Sequence, residues 1–200
     1  NDLSFVQLDL NKKDNAFNHL LSSFRPECIV NFAAQSMVAQ SWDCPSDWVD
    51  TNVGALTRVI ESLKTYRGLE KFVHVTTPEV YGSTADLIAE NHPFNPSTPY
   101  AVTRAAGDMM LKAFHEKDGL PVIFTRAANV FGPGQQLYRI IPRVIMACMT
   151  GGRFTLDGGG VSTRSFIHIQ DVCQIIYLQI KKLKKINNKT FNIGGGSKNA

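Results

Sequence analysis

Along the chain, apolar runs of strand length alternate with longer stretches in which apolar residues recur every three or four positions. Leu3–Leu10 alternates with the two-residue period of a strand. Asn15–Phe24 places Phe17, Leu20, Leu21 and Phe24 on one helical face. Cys28–Ala33 is a continuous run, which predicts a parallel strand buried on both faces. Pro45 to about Tyr66 predicts one long helix ending near Gly68, and Lys71–Thr77, with Phe72, Val73 and Val75, predicts the next strand. Ser83–Pro99 carries three prolines and several polar residues and reads as a loop. A helix then starts at Pro99, capped by Thr98 or Ser97, and runs to about Lys117, followed by a strand at Pro121–Thr125.

Strands separated by helices in this rhythm define βαβ units and an α/β fold with a parallel, doubly wound sheet. Beyond Gly132 the rhythm changes: helices are predicted over 140–150 and 169–183, and short strands over 154–156 and 190–193. No internal repeat or low-complexity segment occurs.

Composition narrows the class without naming a function. The chain has 200 residues, 44% apolar and 19% charged, enough to build a core and too apolar for disorder. No run of about eighteen apolar residues spans a bilayer. The net charge is +4 and the pI about 8.9. Much of the excess sits at Lys181, Lys182, Lys184, Lys185 and Lys189, read as the solvated end of a helix. No aromatic platform or binding motif accompanies these lysines, so no nucleic-acid partner is expected, and without an apolar run to span a bilayer no membrane partner is expected either. Cys28, Cys44, Cys148 and Cys173 form no CxxC pair and read as reduced core residues of a cytoplasmic protein. The histidines show no HxH or HExxH spacing, and no metal is expected. His74 and His168 read as structural, and Trp42 and Trp48 as packing residues.

In an open parallel sheet, ligands bind beyond the carboxyl ends of the strands. Asp9, Ala33-Ala34-Gln35-Ser36, Thr76-Thr77-Pro78-Glu79 and Asn129 all fall there. The small Ala33-Ala34 pair admits either a flat ligand against the backbone or simply a tight turn. On the helix from Pro99, Tyr100 and Arg104 stand one turn apart. A fixed guanidinium there favours the phenolate and makes Tyr100 a candidate general base. The plainer alternative is a packed tyrosine beside a solvated arginine.

The segments Asn31-Phe32-Ala33-Ala34, Asn52-Val53, Val75-Thr76-Thr77-Pro78-Glu79-Val80-Tyr81-Gly82, Ser97-Thr98-Pro99-Tyr100 and Arg126-Ala127-Ala128-Asn129-Val130-Phe131-Gly132-Pro133 occur in this order. With Arg164–Val172 and Phe191–Gly194, they resemble the extended short-chain dehydrogenase/reductases that act on nucleotide sugars. The resemblance covers nearly the whole chain and implies a Rossmann-like sheet that binds NAD. It implies a partial NAD-binding domain over 1–132, carrying the catalytic residues. A partial substrate-binding lobe follows over 133–200, with a segment returning to the first domain near 165–193.

Carried over by position, Asp9 and Leu10 contact the adenine, Phe32, Ala33, Ala34, Gln35 and Thr76 line the dinucleotide, and Asn52 holds the strand ends beside it. Thr77 and Tyr100 meet the sugar 4-hydroxyl, and Tyr100 takes its proton. Arg104 stands where the family has a lysine that holds the nicotinamide ribose; it keeps the charge but is planar, longer and never neutral. Ser36, Asn129, Arg139 and Arg164 fall on the nucleotide-sugar side, Arg164 at the diphosphate. The resemblance also implies a homodimer formed through the helix that follows Pro45.

Glu79 sets the reaction. The family's nucleotide-sugar 4,6-dehydratases resemble one another in a Thr-x-Glu motif before Val-Tyr-Gly. There the glutamate removes the C5 proton after oxidation at C4, water leaves C6, and hydride returns to C6. Pro78 stands where the glucose enzymes carry aspartate and the mannose enzymes serine. Ala33–Ser36 resembles the mannose and CDP-glucose types, and Phe131–Leu137 with Ile141-Pro142 the dTDP-glucose type, so the base stays open. The reading is a 4,6-dehydratase, a lyase. The alternatives are a 4-epimerase, a UDP-glucuronate decarboxylase, although the Ser83–Pro99 loop has no obvious cation for a carboxylate, or a catalytically degenerate nucleotide-sugar binder.

The chain begins at Asn1 and ends just after Gly194-Gly195-Gly196, and contains no GxxGxxG. The expectation is a middle piece of a longer enzyme, starting at the third strand of the Rossmann domain. Such a piece would hold the catalytic residues without the main pyrophosphate anchor, and alone would bind NAD poorly.

Overall fold

The computed structural model describes residues 3–84, 87–160, 163–181 and 186–194. In chain order the elements are α1 (Ala16–Phe24), β1 (Cys28–Asn31), α2 (Gln40–Asp43), α3 (Pro45–Val49), α4 (Leu56–Thr65), β2 (Lys71–Thr76), α5 (Pro99–Asp118), β3 (Val122–Ala127), β4 (Asn129–Phe131), α6 (Ile140–Thr150), β5 (Phe166–His168), α7 (Ile169–Lys181) and β6 (Thr190–Ile193). Four strands form one parallel sheet in the order β1-β2-β3-β6, and β4 and β5 form a separate parallel pair.

The sheet is covered on both faces, as a doubly wound α/β fold requires. Side chains alternate across a strand, so Phe72, Val122 and Phe124 point to one face. There they meet Leu56, Ile60 and Leu63 of α4, Leu111 of α5 and Leu21 of α1. Val75, Ala127 and Ile193 gather with Val172 and Ile176 of α7 and Ile167 of β5. Helix α5 carries the start signals read in the sequence. The Thr98 hydroxyl accepts the Ala101 N–H at 3.1 Å, Pro99 occupies the first turn, and Gly119 ends the helix at φ +73°.

Several expectations change. Leu3–Leu10 forms no strand: an alternating pattern needs a neighbour to bond with, and Leu3 and Phe5 are 92% and 89% exposed. The second predicted strand is β1, which among the described residues pairs with β2 alone, so its residues are half-buried instead of buried on both faces. The long helix after Pro45 contains a π turn at Asp50–Ala55, between α3 and α4. No strand forms over 154–156, where the chain leads into a 3₁₀ turn at Asp157–Gly160.

Cys44, Cys148 and Cys173 are exposed and Cys28 is half-buried, so none is a core residue. Cys148 lies on α6, which has no buried residue. Trp48 is buried but Trp42 is exposed. In the lysine run, Lys182, Lys184 and Lys185 lie outside the described residues, as does the predicted end of α7. No helix among the described residues is long and apolar enough to cross a membrane.

Candidate active site

The carboxyl end of β2 and the start of α5 carry Thr76, Thr77, Glu79, Tyr100 and Arg104. At the end of β2, Thr77 caps the 3₁₀ turn Pro78–Tyr81, its hydroxyl accepting the Glu79 N–H at 3.2 Å. A proline suits the first position of such a turn, which gives Pro78 a structural role and no proton to donate. The same Thr77 side chain stands close enough to the Tyr100 phenol to lower its pKa. Tyr100 is buried at the start of α5, its own N–H donating to the Ser41 hydroxyl at 3.2 Å.

The electrostatics of Tyr100 bring five of the candidate residues together. Burial pushes the phenol above its ordinary value of 10.0, Arg104 and Thr77 pull it down, Glu79 raises it and Arg139 lowers it. Burial is the largest of these effects, so in this structure the phenol is held as a proton donor. Arg104 is 4% exposed; its Nη2 donates to the Val75 carbonyl and its Nε has no partner. It is therefore no solvated arginine but a buried cation fastened to the end of β2.

Asn52 sits in the π turn, 3% exposed. It accepts the Gln35 N–H at 2.8 Å and donates to the Gln35 carbonyl and the Thr103 hydroxyl, each at 3.0 Å. One amide thus ties the segment after β1 to α5, one residue from Arg104. Helix α5 approaches this turn closely: a Cβ added at Gly107 would lie 2.9 Å from Leu56 Cδ2 and 3.3 Å from the Asn52 carbonyl.

Asp9, Leu10 and Ala33 line a separate cavity of about 200 Å³ with Asn31, Thr51 and Ala55. The Asp9 carboxylate accepts the Asn11 N–H at 2.9 Å. Phe32, Gln35 and Ser36 are exposed, and Ala34 is half-buried. Thr76 is buried with its hydroxyl facing Asp108. Asn129 and Arg164 belong to a third group around the β4–β5 pair. There Asn129 donates from its backbone N–H and its side chain to the Ser165 carbonyl, at 3.1 and 3.3 Å, and Arg164 is exposed. No contact links this group to the Tyr100 cluster among those described.

A buried polar chain beneath the site was not foreseen. Asn31 contacts His74 Nδ1 at 3.1 Å, His74 Nε2 lies 3.7 Å from Asp108, and Asp108 pairs with Arg126 at 3.0 Å. Its sequence signals are a charged residue inside the apolar run of β3 and an aspartate four residues after Arg104 on the same helix face.

This constellation has known relatives. A model of the NAD dependent epimerase/dehydratase family matches residues 1–194. The chain belongs to that family. It is 32% identical over 207 residues to the dTDP-glucose 4,6-dehydratase of Xanthomonas campestris, covering 98% of this chain and 58% of that protein. Among solved structures it is similar to a dTDP-glucose 4,6-dehydratase from Streptomyces venezuelae with NAD bound, at 32% identity and a TM-score of 0.85, covering 96% of this chain and 58% of that one. It is also similar to a UDP-glucuronic acid 4-epimerase from Bacillus cereus in complex with UDP-glucuronic acid and NAD, at 27% identity and a TM-score of 0.88, covering 96% and 60%. The chain thus spans a little over half the length of the relatives it matches, and its fold is the Rossmann-like sheet of these enzymes.

Proposed function

We propose that the complete protein is an NAD-dependent nucleotide-sugar 4,6-dehydratase. One observation carries the reading: Thr77 and Glu79, on one tight turn, both stand close enough to the buried Tyr100 phenol to act on it. The Thr77 hydroxyl accepts the Glu79 backbone N–H, and the negative charge of Glu79 acts on the Tyr100 phenol. A 4-epimerase needs the phenol and the hydroxyl; removal of a C5 proton needs the carboxylate as well.

The residues present fit part of NAD. Arg104 leaves a buried, unpartnered N–H beside Tyr100, suited to a ribose hydroxyl, and Asp9 offers a carboxylate on the cavity at the end of β1. Ala33 and Ala34 leave room for a planar ring beside that strand. Bound NAD supplies the hydride acceptor, the returned hydride and a cationic ring. In the presence of that charge, Tyr100 takes the proton of the sugar 4-hydroxyl while Thr77 orients the oxygen. Glu79 then removes the C5 proton made acidic by the 4-ketone, and water departs from C6. Pro78 supplies no acid for this departure, so the proton reaches the leaving oxygen from Glu79 itself or from solvent.

On the nucleotide-sugar side we assign Ser36, Asn129, Arg139 and Arg164, with Arg139 nearest the chemistry because its charge acts on Tyr100. Residues 1–132 serve as the cofactor-binding part and 133–200 contribute to the substrate lobe, with β6 returning to pair with β3. A homodimer in the cytoplasm, formed through the helices from Pro45, completes the proposal.

The test is to incubate the complete protein with dTDP-glucose, UDP-glucose, CDP-glucose and GDP-mannose and to follow the alkaline absorbance of a 4-keto-6-deoxy product. Glu79→Gln is expected to slow its formation about 10²–10⁴-fold. Inversion at C4 that persists in Glu79→Gln would make the protein an epimerase, and tight binding without product a degenerate member.

A further inference from the structure

Arg126 stands in β3 in register with Thr76 of β2 and Asn192 of β6. It is 4% exposed. Below it, Asp108 Oδ2 accepts from Nε at 3.2 Å and from Nη2 at 3.0 Å. Above it, Nη1 donates to the Tyr81 hydroxyl, which donates onward to Asn192 Oδ1 at 3.0 Å. Asn192 then grips the loop after the turn: its Nδ2 donates to the Ile88 carbonyl at 3.1 Å and its backbone N–H to Glu90 Oε1 at 3.0 Å. The guanidinium is flanked by the rings of Tyr81 and Phe94, at 4.9 and 4.8 Å from their centroids.

Charge compensation alone needs only Asp108. The remaining contacts all lead to two segments, the Pro78–Tyr81 turn and the loop at 87–95. These also bond to each other, Asn95 N–H to the Val80 carbonyl at 2.9 Å. They meet too closely for a side chain: Gly82 has φ +78°, and a Cβ there would lie 2.2 Å from the Asn95 carbonyl. Tyr81 shares its 3₁₀ turn with Glu79, and the Gly82 N–H returns to the Glu79 carbonyl at 3.0 Å. A displacement of Tyr81 therefore moves the backbone that carries Glu79.

We propose that Arg126 is a positioning residue that acts through Tyr81. By clamping the Pro78–Tyr81 turn against Asp108 and tying the 87–95 loop to the end of β6, it fixes where the Glu79 carboxylate stands. This rests on Glu79 being the proton-removing base.

The experiment compares Tyr81→Phe and Arg126→Lys in the complete protein. Tyr81→Phe keeps the ring and deletes only the bridging hydroxyl, so it serves even where Arg126→Lys fails to fold. Amide hydrogen exchange is expected to speed up about tenfold in peptides covering 77–82 and 87–95, with 71–75 and 122–125 unchanged. For the dehydration, kcat is expected to fall about 10–100-fold at a KM within about twofold. In the Glu79→Gln background the same change costs no further rate.

Unchanged exchange in both segments overturns the proposal whatever reaction the protein catalyses, which separates its failure from that of the dehydratase reading. Uniform loosening of the sheet overturns it too, since Arg126 would then be only a core residue. So does a full additional loss of kcat for Tyr81→Phe in Glu79→Gln.

Discussion

The ends of β1 and β2 lie side by side in one sheet and are built differently. At β2, Thr77, Glu79 and Tyr100 stand on elements tied together by side chains: Thr77 to the Glu79 backbone, Arg104 to Val75, Asp108 to Arg126, and Arg126 to Tyr81. At β1, the residues that would meet a dinucleotide are exposed or half-buried, and the Asn52 amide is their main fastening to the rest of the fold. Groups that move protons must be held to within fractions of an ångström. A planar ligand can be received by backbone and small side chains, with less tying down.

The sharpest way to break this contrast is to remove the charge under the β2 end. Asp108 is 2% exposed and pairs with Arg126. Asp108→Ala leaves a buried guanidinium uncompensated, and a loss of about 3–5 kcal/mol is expected by urea unfolding. A loss below about 1 kcal/mol would show that water enters and that the β2 end is no better held than the β1 end.

Much of the architecture was legible because it depends on local signals. The Thr98-Pro99 start and the helical run to about Lys117 delimit α5 to within a residue or two, and the burial of β2 and β3 follows from their apolar runs. Tyr100 and Arg104 share a helix face wherever that helix lies. What escaped depends on partners distant in sequence. Leu3–Leu10 has the period of a strand, but a ladder needs a neighbour, and among the described residues β1 bonds to β2 alone. The π turn that aims Asn52 at Gln35 leaves no mark in hydrophobic spacing. Arg126 and Asp108 each announce a buried charge, yet only the fold shows that they answer each other and that Tyr81 joins them.

The next effect depends on pH. His74 is held well below its ordinary value of 6.5 by burial first, then by Arg104 and Arg126. The unfolded chain therefore binds a proton near pH 6.5 that the folded chain refuses. Unfolding takes up protons in this range, so this contribution to stability is complete above about pH 7 and is lost as the pH falls. Asp108 works in the opposite sense. Burial raises it above 3.8 against the pull of Arg126, Arg104 and Thr76, so the folded state takes up its proton first and part of the loss is offset. Between pH 6 and 5 the unfolding free energy is expected to drop with a slope below about 1.4 kcal/mol per pH unit, the limit for one proton, by the amount that Asp108 offsets. His74→Asn should flatten that slope. An equal slope in the variant would assign the proton uptake to another group.

The smallest effect belongs to the β1 side. Phe5 is 89% exposed, in a segment without strand bonds. An aromatic ring in water contributes no burial that its loss could remove. Phe5→Ser is therefore expected to shift the unfolding free energy of this chain by less than about 0.5 kcal/mol, as for other surface changes away from caps and charges. The urea midpoint and slope should both stay where they are, since neither the stability nor the surface exposed on unfolding changes. A loss of about 2 kcal/mol is what uncovering a buried ring produces. It would mean that Phe5 is covered in solution and that the β1 side is packed as its neighbour is. The contrast between the two ends would then reduce to the Asp108–Arg126 charge pair alone.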